Sequence, residues 1–254
     1  MLTPGLVSVT FRKLSPEQII DLVKRAGLRS IEWGGDVHVP HGDTDRARDV
    51  AEKTAAAGLE VAAYGSYYRL GQTGDDAPDF ARVLATAAAL GAPLIRVWPG
   101  VRGSAETPDG ERQRVESDAL RVAQLASEAG IGIAYEYHGG TLTDTNESAQ
   151  QLLERTDHPA ISTIWQPPNG QPFESCLDGL KALLPRLSNV HAFHWWPTPA
   201  NRHPLEVGAD RWKPYLDTVR QAGGDRHVLI EFVKDDAPEQ LLADAATLRN
   251  WLEE

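Results

Sequence analysis

The chain contains a single cysteine, Cys176, so it closes no disulfide within itself, and the residue reads as a small apolar side chain on a helix. Basic residues are in deficit. Lys and Arg number 25 against 36 Asp and Glu, and the net charge of -11 opposes a phosphate backbone, which argues against a nucleic-acid partner. No run approaches the roughly 18 apolar residues of a membrane span. The opening MLTPGLVSVTFRK also lacks the basic stretch and uninterrupted apolar run of a secretory signal. A soluble, cytoplasmic protein with no membrane partner is expected. No GxGxxG turn follows the first strand-like run, which weakens a dinucleotide-binding open sheet, and no Gly-rich loop supports a phosphorylated substrate.

What the sequence does have is alternation. Short apolar or β-branched runs at roughly 5–11, 29–34, 59–65, 93–98, 131–136, 160–165, 189–194 and 227–233 are each followed by a helical pattern. The first helix opens with Ser15, Pro16 and Gln18, a capping box with proline at the first helical position, and ends at Gly27. Its apolar residues Ile19, Ile20, Val23 and Ala26 share one face. The same spacing recurs in Val115, Ala119, Val122, Ala123 and Ala126, and again in Leu241, Leu242, Ala245, Leu248 and Leu252, a helix that Asp236 and Glu239 are placed to cap. Gly58, Gly91, Gly130 and the pair Gly223 and Gly224 each stand just before a strand. No linker or low-complexity stretch interrupts the series, so 1–254 reads as one α/β domain, a (β/α)8 TIM barrel, with a doubly wound open sheet as the alternative.

In such a barrel the working face lies at the carboxyl ends of the strands. Four runs deliver polar side chains there: IGIAYEYHGG with Glu136, ISTIWQPP with Gln166, NVHAFHWWP with His191 and His194, and HVLIEFVKDD with Glu231. Strand alternation sets Glu136 with Ala134 and Gly132 toward the barrel interior, and Ile133 and Tyr135 toward the helices. By the same parity Glu231 lies with Leu229, and Gln166 with Ile164. His191 is favoured over His194 because an inward His194 would push His191 into the dry helix layer; His194 stays open as a neighbouring or substrate-binding residue. Glu136, Gln166, His191 and Glu231 together offer two carboxylates, an amide oxygen and an imidazole, a donor set suited to Mn, Mg, Co or Zn.

With these residues in view, the whole chain resembles the sugar phosphate isomerase/epimerase group of the xylose isomerase-like barrel superfamily. The resemblance is carried by SIEWGGDVH at 30–38, GAPLIRVWPG at 91–100, YEYH at 135–138 and LIEFVKDD at 229–236. It implies a metal held by a glutamate, an aspartate, a histidine and a glutamate after the fifth to eighth strands, here Glu136, Gln166, His191 and Glu231. The sixth-strand position departs from the family pattern, because Gln166 replaces the aspartate and Asn169 the histidine three residues on. An uncharged donor there implies weaker metal retention and a more electrophilic ion. The resemblance also implies paired barrels, hence a homodimer.

The expected chemistry is isomerisation or epimerisation of a sugar or sugar derivative, with Glu136 and Glu231 moving the proton next to a carbonyl and a metal stabilising the enediolate. Trp98 and Trp195 are expected to face the sugar's CH surface, and His38, Tyr64 and His138 to bond substrate or orient a ligand. Arg202, which resembles the arginine after the seventh strand in the epimerases, and Lys234 are further substrate-binding candidates, and Arg96 is read as meeting a phosphate or sugar oxygen. An inosose-type dehydratase would use the same site, and a non-catalytic sugar-binding barrel would use its shape alone. An endonuclease requires further metal ligands and a basic face, which the acidic balance opposes.

Overall fold

A computed structural model describes residues 1–74 and 77–254. Eight parallel strands close into a barrel: β1 (Leu2–Val7), β2 (Ser30–Gly34), β3 (Glu60–Arg69), β4 (Leu94–Trp98), β5 (Gly132–Glu136), β6 (Ile161–Trp165), β7 (Leu187–Ala192) and, last in the chain, β10 (Arg226–Ile230). Closure is made by β1, which pairs with β10 from Leu2↔Arg226 to Leu6↔Ile230 and with β2 from Gly5↔Ser30 to Val7↔Glu32. The open-sheet alternative is thereby excluded. Between β7 and β10 lies a short antiparallel pair, β8 (His194–Trp195) and β9 (Arg202–His203), which the sequence pattern does not reveal.

Outside the strands run α1 (Pro16–Arg25), α2 (Thr44–Ala56), α3 (Phe80–Leu90), α4 (Asp109–Glu128), α5 (Asn146–Arg155), α6 (Phe173–Leu183), α7 (Ala209–Gln221) and α8 (Pro238–Glu253). The expected capping box forms on α1: Ser15 accepts from the Gln18 backbone, and the Gln18 side chain accepts from Ser15 N. Ile19, Ile20, Leu22 and Val23 face inward and are buried, each such side chain stabilising the fold by about 1.5–3 kcal/mol. Cys176 is buried on α6. At the end of α3, Gly91 adopts φ 68°, a left-handed turn that only glycine enters without strain and that sends the chain into β4.

Two local expectations need correction. The first strand stops at Val7, because Ser8–Phe11 coil into a 3-10 turn that lets Ser8 Oγ accept from Gly34 N at 2.9 Å. Neither Asp236 nor Glu239 caps α8. Ala237 occupies the cap position, Pro238 follows with no N–H to satisfy, and Asp236 instead takes Arg202 at 2.7 Å.

Candidate metal centre and active site

Parity along the strands places the four expected ligands at one mouth of the barrel, as the sequence requires. Tyr135 points outward, its hydroxyl donating to Thr156 at 2.9 Å, which leaves its neighbour Glu136 facing in. Trp165 packs among Trp212 and Tyr215 in the helix layer, and Gln166 turns to the interior. His191 is wholly buried, whereas His194 is half-buried beside His203. Glu136, His191 and Glu231 each offer an atom within 4.8 Å of the others, close enough to hold one metal ion. Gln166 joins them, its Nε2 at 3.5 Å from Glu136 Oε1.

Two buried residues behind this group complete it. Glu32 on β2 is fully buried, with Oε1 accepting from Arg96 Nε at 2.6 Å and Oε2 at 3.0 Å from His191 Nε2. Arg96 on β4 reaches on to Glu136, donating from Nη1 to Oε2, where Trp98 Nε1 donates as well. Glycine at position 65 makes room for this, since a Cβ there would stand 2.7 Å from Arg96 Nη2 and 2.9 Å from Glu32 Oε1.

The electrostatics follow from these contacts. Burial alone would raise the Glu32 carboxyl, but Arg96 and His191 overcome it and bring the pKa to about 2. Burial likewise opposes ionisation of Glu136, and Arg96 together with His191 holds its pKa below the ordinary value. For His191, burial would favour the neutral ring, yet the carboxylates of Glu32 and Glu231 raise its pKa to about 10. With the His191 ring neutral, as ligation through Nδ1 would require, three buried carboxylates face one guanidinium and leave two formal negative charges, equal in size to the charge of a divalent ion.

The donor atoms fit such an ion. His191 Nδ1 lies 3.5 Å from Glu231 Oε2 without hydrogen-bond geometry, and Gln166 Oε1 is likewise buried without a partner. Unsatisfied buried polar atoms are costly in a protein interior, and both belong to the expected ligand set.

A cavity of about 540 Å³ opens above the ligands, with Arg12, Tyr67, Trp98, His138, Trp195 and Phe232 among its walls. Trp98 and His138 stack at 4.7 Å and 24°, so both reach the place expected of them, as does Trp195. Other expected substrate contacts do not line this cavity. His38 is buried, with Nδ1 at 3.0 Å from Ser8 Oγ and Nε2 at 3.2 Å from Leu14 O; both ring nitrogens serve the β1–β2 loops. Tyr64 is buried and donates to Val39 O at 2.8 Å. His194 packs on the β8–β9 pair, and Lys234 is exposed. Arg202 acts one step removed: bound to Asp236, it lies 5.1 Å from the Trp195 ring centroid and 4.9 Å from that of Phe232. Arg96 gives Nε to Glu32 and Nη1 to Glu136, while its Nη2 is buried without a partner on the wall of the same cavity.

Sequence reasoning missed Glu32, Arg12, Tyr67 and Phe232. Glu32 was accessible to the parity test applied elsewhere, since it alternates with Ile31 and Trp33 on an apolar strand. Tyr67 and Phe232 hold φ of 55° and 52°, a left-handed conformation that costs bulky residues about 1–3 kcal/mol and that composition does not announce. The Phe232 bend is pinned by its N–H, which donates to Thr10 Oγ1 at 2.9 Å.

A closed parallel barrel with a carboxylate–imidazole cluster at its mouth defines the class. The chain belongs to the xylose isomerase-like TIM barrel family, whose profile matches residues 20–254. A 3-dehydroshikimate dehydratase of Bacillus anthracis is 29% identical over 103 residues, 38% of this chain and 35% of that protein, so the match spans about a third of the relative's length. Among solved structures, the probable 3-DHS dehydratase AsbF of Bacillus anthracis superposes with a TM-score of 0.81 at 20% identity, over 98% of this chain and 99% of that one. The zinc-bound IOLI protein gives 0.77 at 14% identity, over 99% and 98%. A D-psicose 3-epimerase in the presence of D-fructose gives 0.73 at 14% identity, over 99% and 100%. At these identities the structural likeness establishes the fold.

Proposed function

We propose that the protein removes a proton from carbon next to a carbonyl in a small polyhydroxylated substrate of the sugar class, with assistance from a divalent metal. The observation that carries this reading is the convergence of Glu136, His191 and Glu231, with His191 Nδ1 and Gln166 Oε1 left unsatisfied beside them. The ion that Glu136, Gln166, His191 and Glu231 would hold supplies electrophilic stabilisation for negative charge developing on a carbonyl oxygen. Glu231 is the proton acceptor, because its carboxylate lines the cavity and its nearest ionic neighbour is His191. Trp98, His138 and Trp195 close around the substrate and exclude water, flat rings facing CH and polar edges facing hydroxyls.

Isomerisation or epimerisation is the outcome expected from the family resemblance, with Glu231 taking a proton from carbon and the acid form of Glu136 delivering its own in return. Dehydration is a second reading, and a specific observation favours it. Glu136 Oε2 already accepts from both Arg96 and Trp98, and its pKa is lowered, so it is a firm ligand and a poor proton carrier. One working residue suffices for dehydration, since the proton it takes from carbon can pass to the departing β-hydroxyl, which leaves as water; epimerisation asks for two. The partial sequence match to a dehydratase supports the same outcome.

Candidate ketoses and hydroxylated cyclic ketones incubated with the protein in deuterated water provide the test. Deuterium uptake next to the carbonyl that survives in Glu231→Gln would remove Glu231 from the mechanism. Mass spectrometry separates the outcomes, since dehydration alone removes water from the product. Elemental analysis of protein purified without chelator reports the metal directly.

A further inference from the structure

Glu32 does not line the cavity and touches no substrate, yet it is the most enclosed acid of the cluster. Its two oxygens are divided: Oε1 takes Arg96 Nε, and Oε2 faces His191 Nε2 at 3.0 Å. An ionised carboxylate only accepts hydrogen bonds, so the ring nitrogen facing it must carry the proton. In the neutral imidazole the lone pair then resides on Nδ1, the atom that has no hydrogen-bond partner and points toward Glu231. Through Arg96 the same residue also bears on Glu136, because one guanidinium spans both acids.

We propose that Glu32 is the positioning residue of the metal centre: it holds His191 in the tautomer that presents Nδ1 to the ion and, through Arg96, fixes the orientation of Glu136. This rests on the metal-assisted reading above. Glu32 thus does for two ligands on β5 and β7 what each could not do from its own strand. A carboxylate behind a ligating imidazole typically contributes about 10–100-fold in metal affinity. Glycine at position 65 belongs to the same arrangement, since any side chain there would part Glu32 from Arg96.

Glu32→Gln separates this role from simple packing. The amide is nearly isosteric and can still accept from Arg96, but its NH2 then faces His191 Nε2 and drives the ring proton to Nδ1. Glu32→Asp is smaller and packs less well, yet remains acceptor-only. Metal-stripped wild type and both variants are titrated with Zn2+ by calorimetry, with circular dichroism checking the fold. Nitrogen NMR of the zinc-loaded proteins locates the His191 proton. The expected order of affinity is wild type, then Asp, then Gln, with the Gln variant about 10–100-fold weaker than wild type and the His191 Nε2–H signal lost. A role in packing alone would place Gln above Asp, and that order, or the Gln variant binding as wild type does, overturns the proposal. Should the Gln variant not fold, the zinc-loaded wild type decides: a His191 proton found on Nδ1 instead of Nε2 is contrary to the proposal. Wild type that takes up no Zn2+ instead removes the metal-assisted reading and this inference with it.

Discussion

Gly65 and Arg96 are paired across β3 and β4, and the absent side chain of the first is the space occupied by the guanidinium of the second. Gly65→Ala sets a methyl against both Arg96 and Glu32, backed by barrel strands on every side. Overpacking of this kind costs about 1–3 kcal/mol. Urea unfolding should show a lowered midpoint with an unchanged slope, and a variant as stable as wild type would show that the cluster relaxes freely.

Arg96→Met leaves the carboxylates of Glu32 and Glu136 buried without their cation. Breaking a buried ionic pair on one side costs about 3–5 kcal/mol, well beyond the exposed pairs such as Arg48 with Asp45. Chemical denaturation of Arg96→Met beside Arg48→Met measures the contrast; equal effects would mean that the cluster adds nothing by being enclosed.

Four histidines set the response to mild acid. Burial pulls His38, His41, His194 and His227 below their ordinary pKa of 6.5. Each binds its proton more readily when unfolded, so the associated stability is complete above pH 6.5 and is lost as pH falls below it. Glu32, held at about 2 against an ordinary 4.5, adds a further loss only below pH 4.5. Melting temperature should therefore decline between pH 6.5 and 5. His227→Gln should flatten that slope, and a slope that it leaves unaltered counts against this account.

Metal removal has a thermal signature. An ion at 100 times its dissociation constant stabilises the folded state by about 2.7 kcal/mol, roughly 5–10 °C for a chain of this size. Melting scans with chelator and with Mn, Co, Zn or Mg in turn should show this shift, and His191→Ala should abolish it. A shift that persists in that variant would place the ion elsewhere.

Trp98→Phe keeps an aromatic ring against His138 but removes the N–H that donates to Glu136. A hydrogen bond to a charged group stabilises by about 1.5–3 kcal/mol, so turnover should fall roughly 10–100-fold while the fold is kept. Steady-state kinetics with whichever ketone shows exchange provides the measurement.

How far the sequence could be read depended on the range of the physics involved. Eight strand–helix repeats, the α1 capping box and the inward parity of Glu136, Gln166 and His191 are local patterns, and the barrel realises them. His38 and Tyr64 carried the right chemistry in the right motifs, but their partners, Ser8, Leu14 and Val39, are set by loop packing that no local pattern encodes. Arg96 shows the same limit. A lone arginine within a short apolar strand has no legible partner until closure of the sheet sets two acids beside it. The bends at Tyr67 and Phe232 are likewise imposed from outside, the latter by Thr10 at the opposite end of the chain.

Closure of the cylinder by β1 against β2 and β10 gives the centre an all-or-nothing character. Glu32 comes early in the chain and Glu231 late, with the remaining participants spread between them, so no fragment short of the finished ring holds a usable portion. Assembly of the candidate ligand set and closure of the ring are therefore a single event.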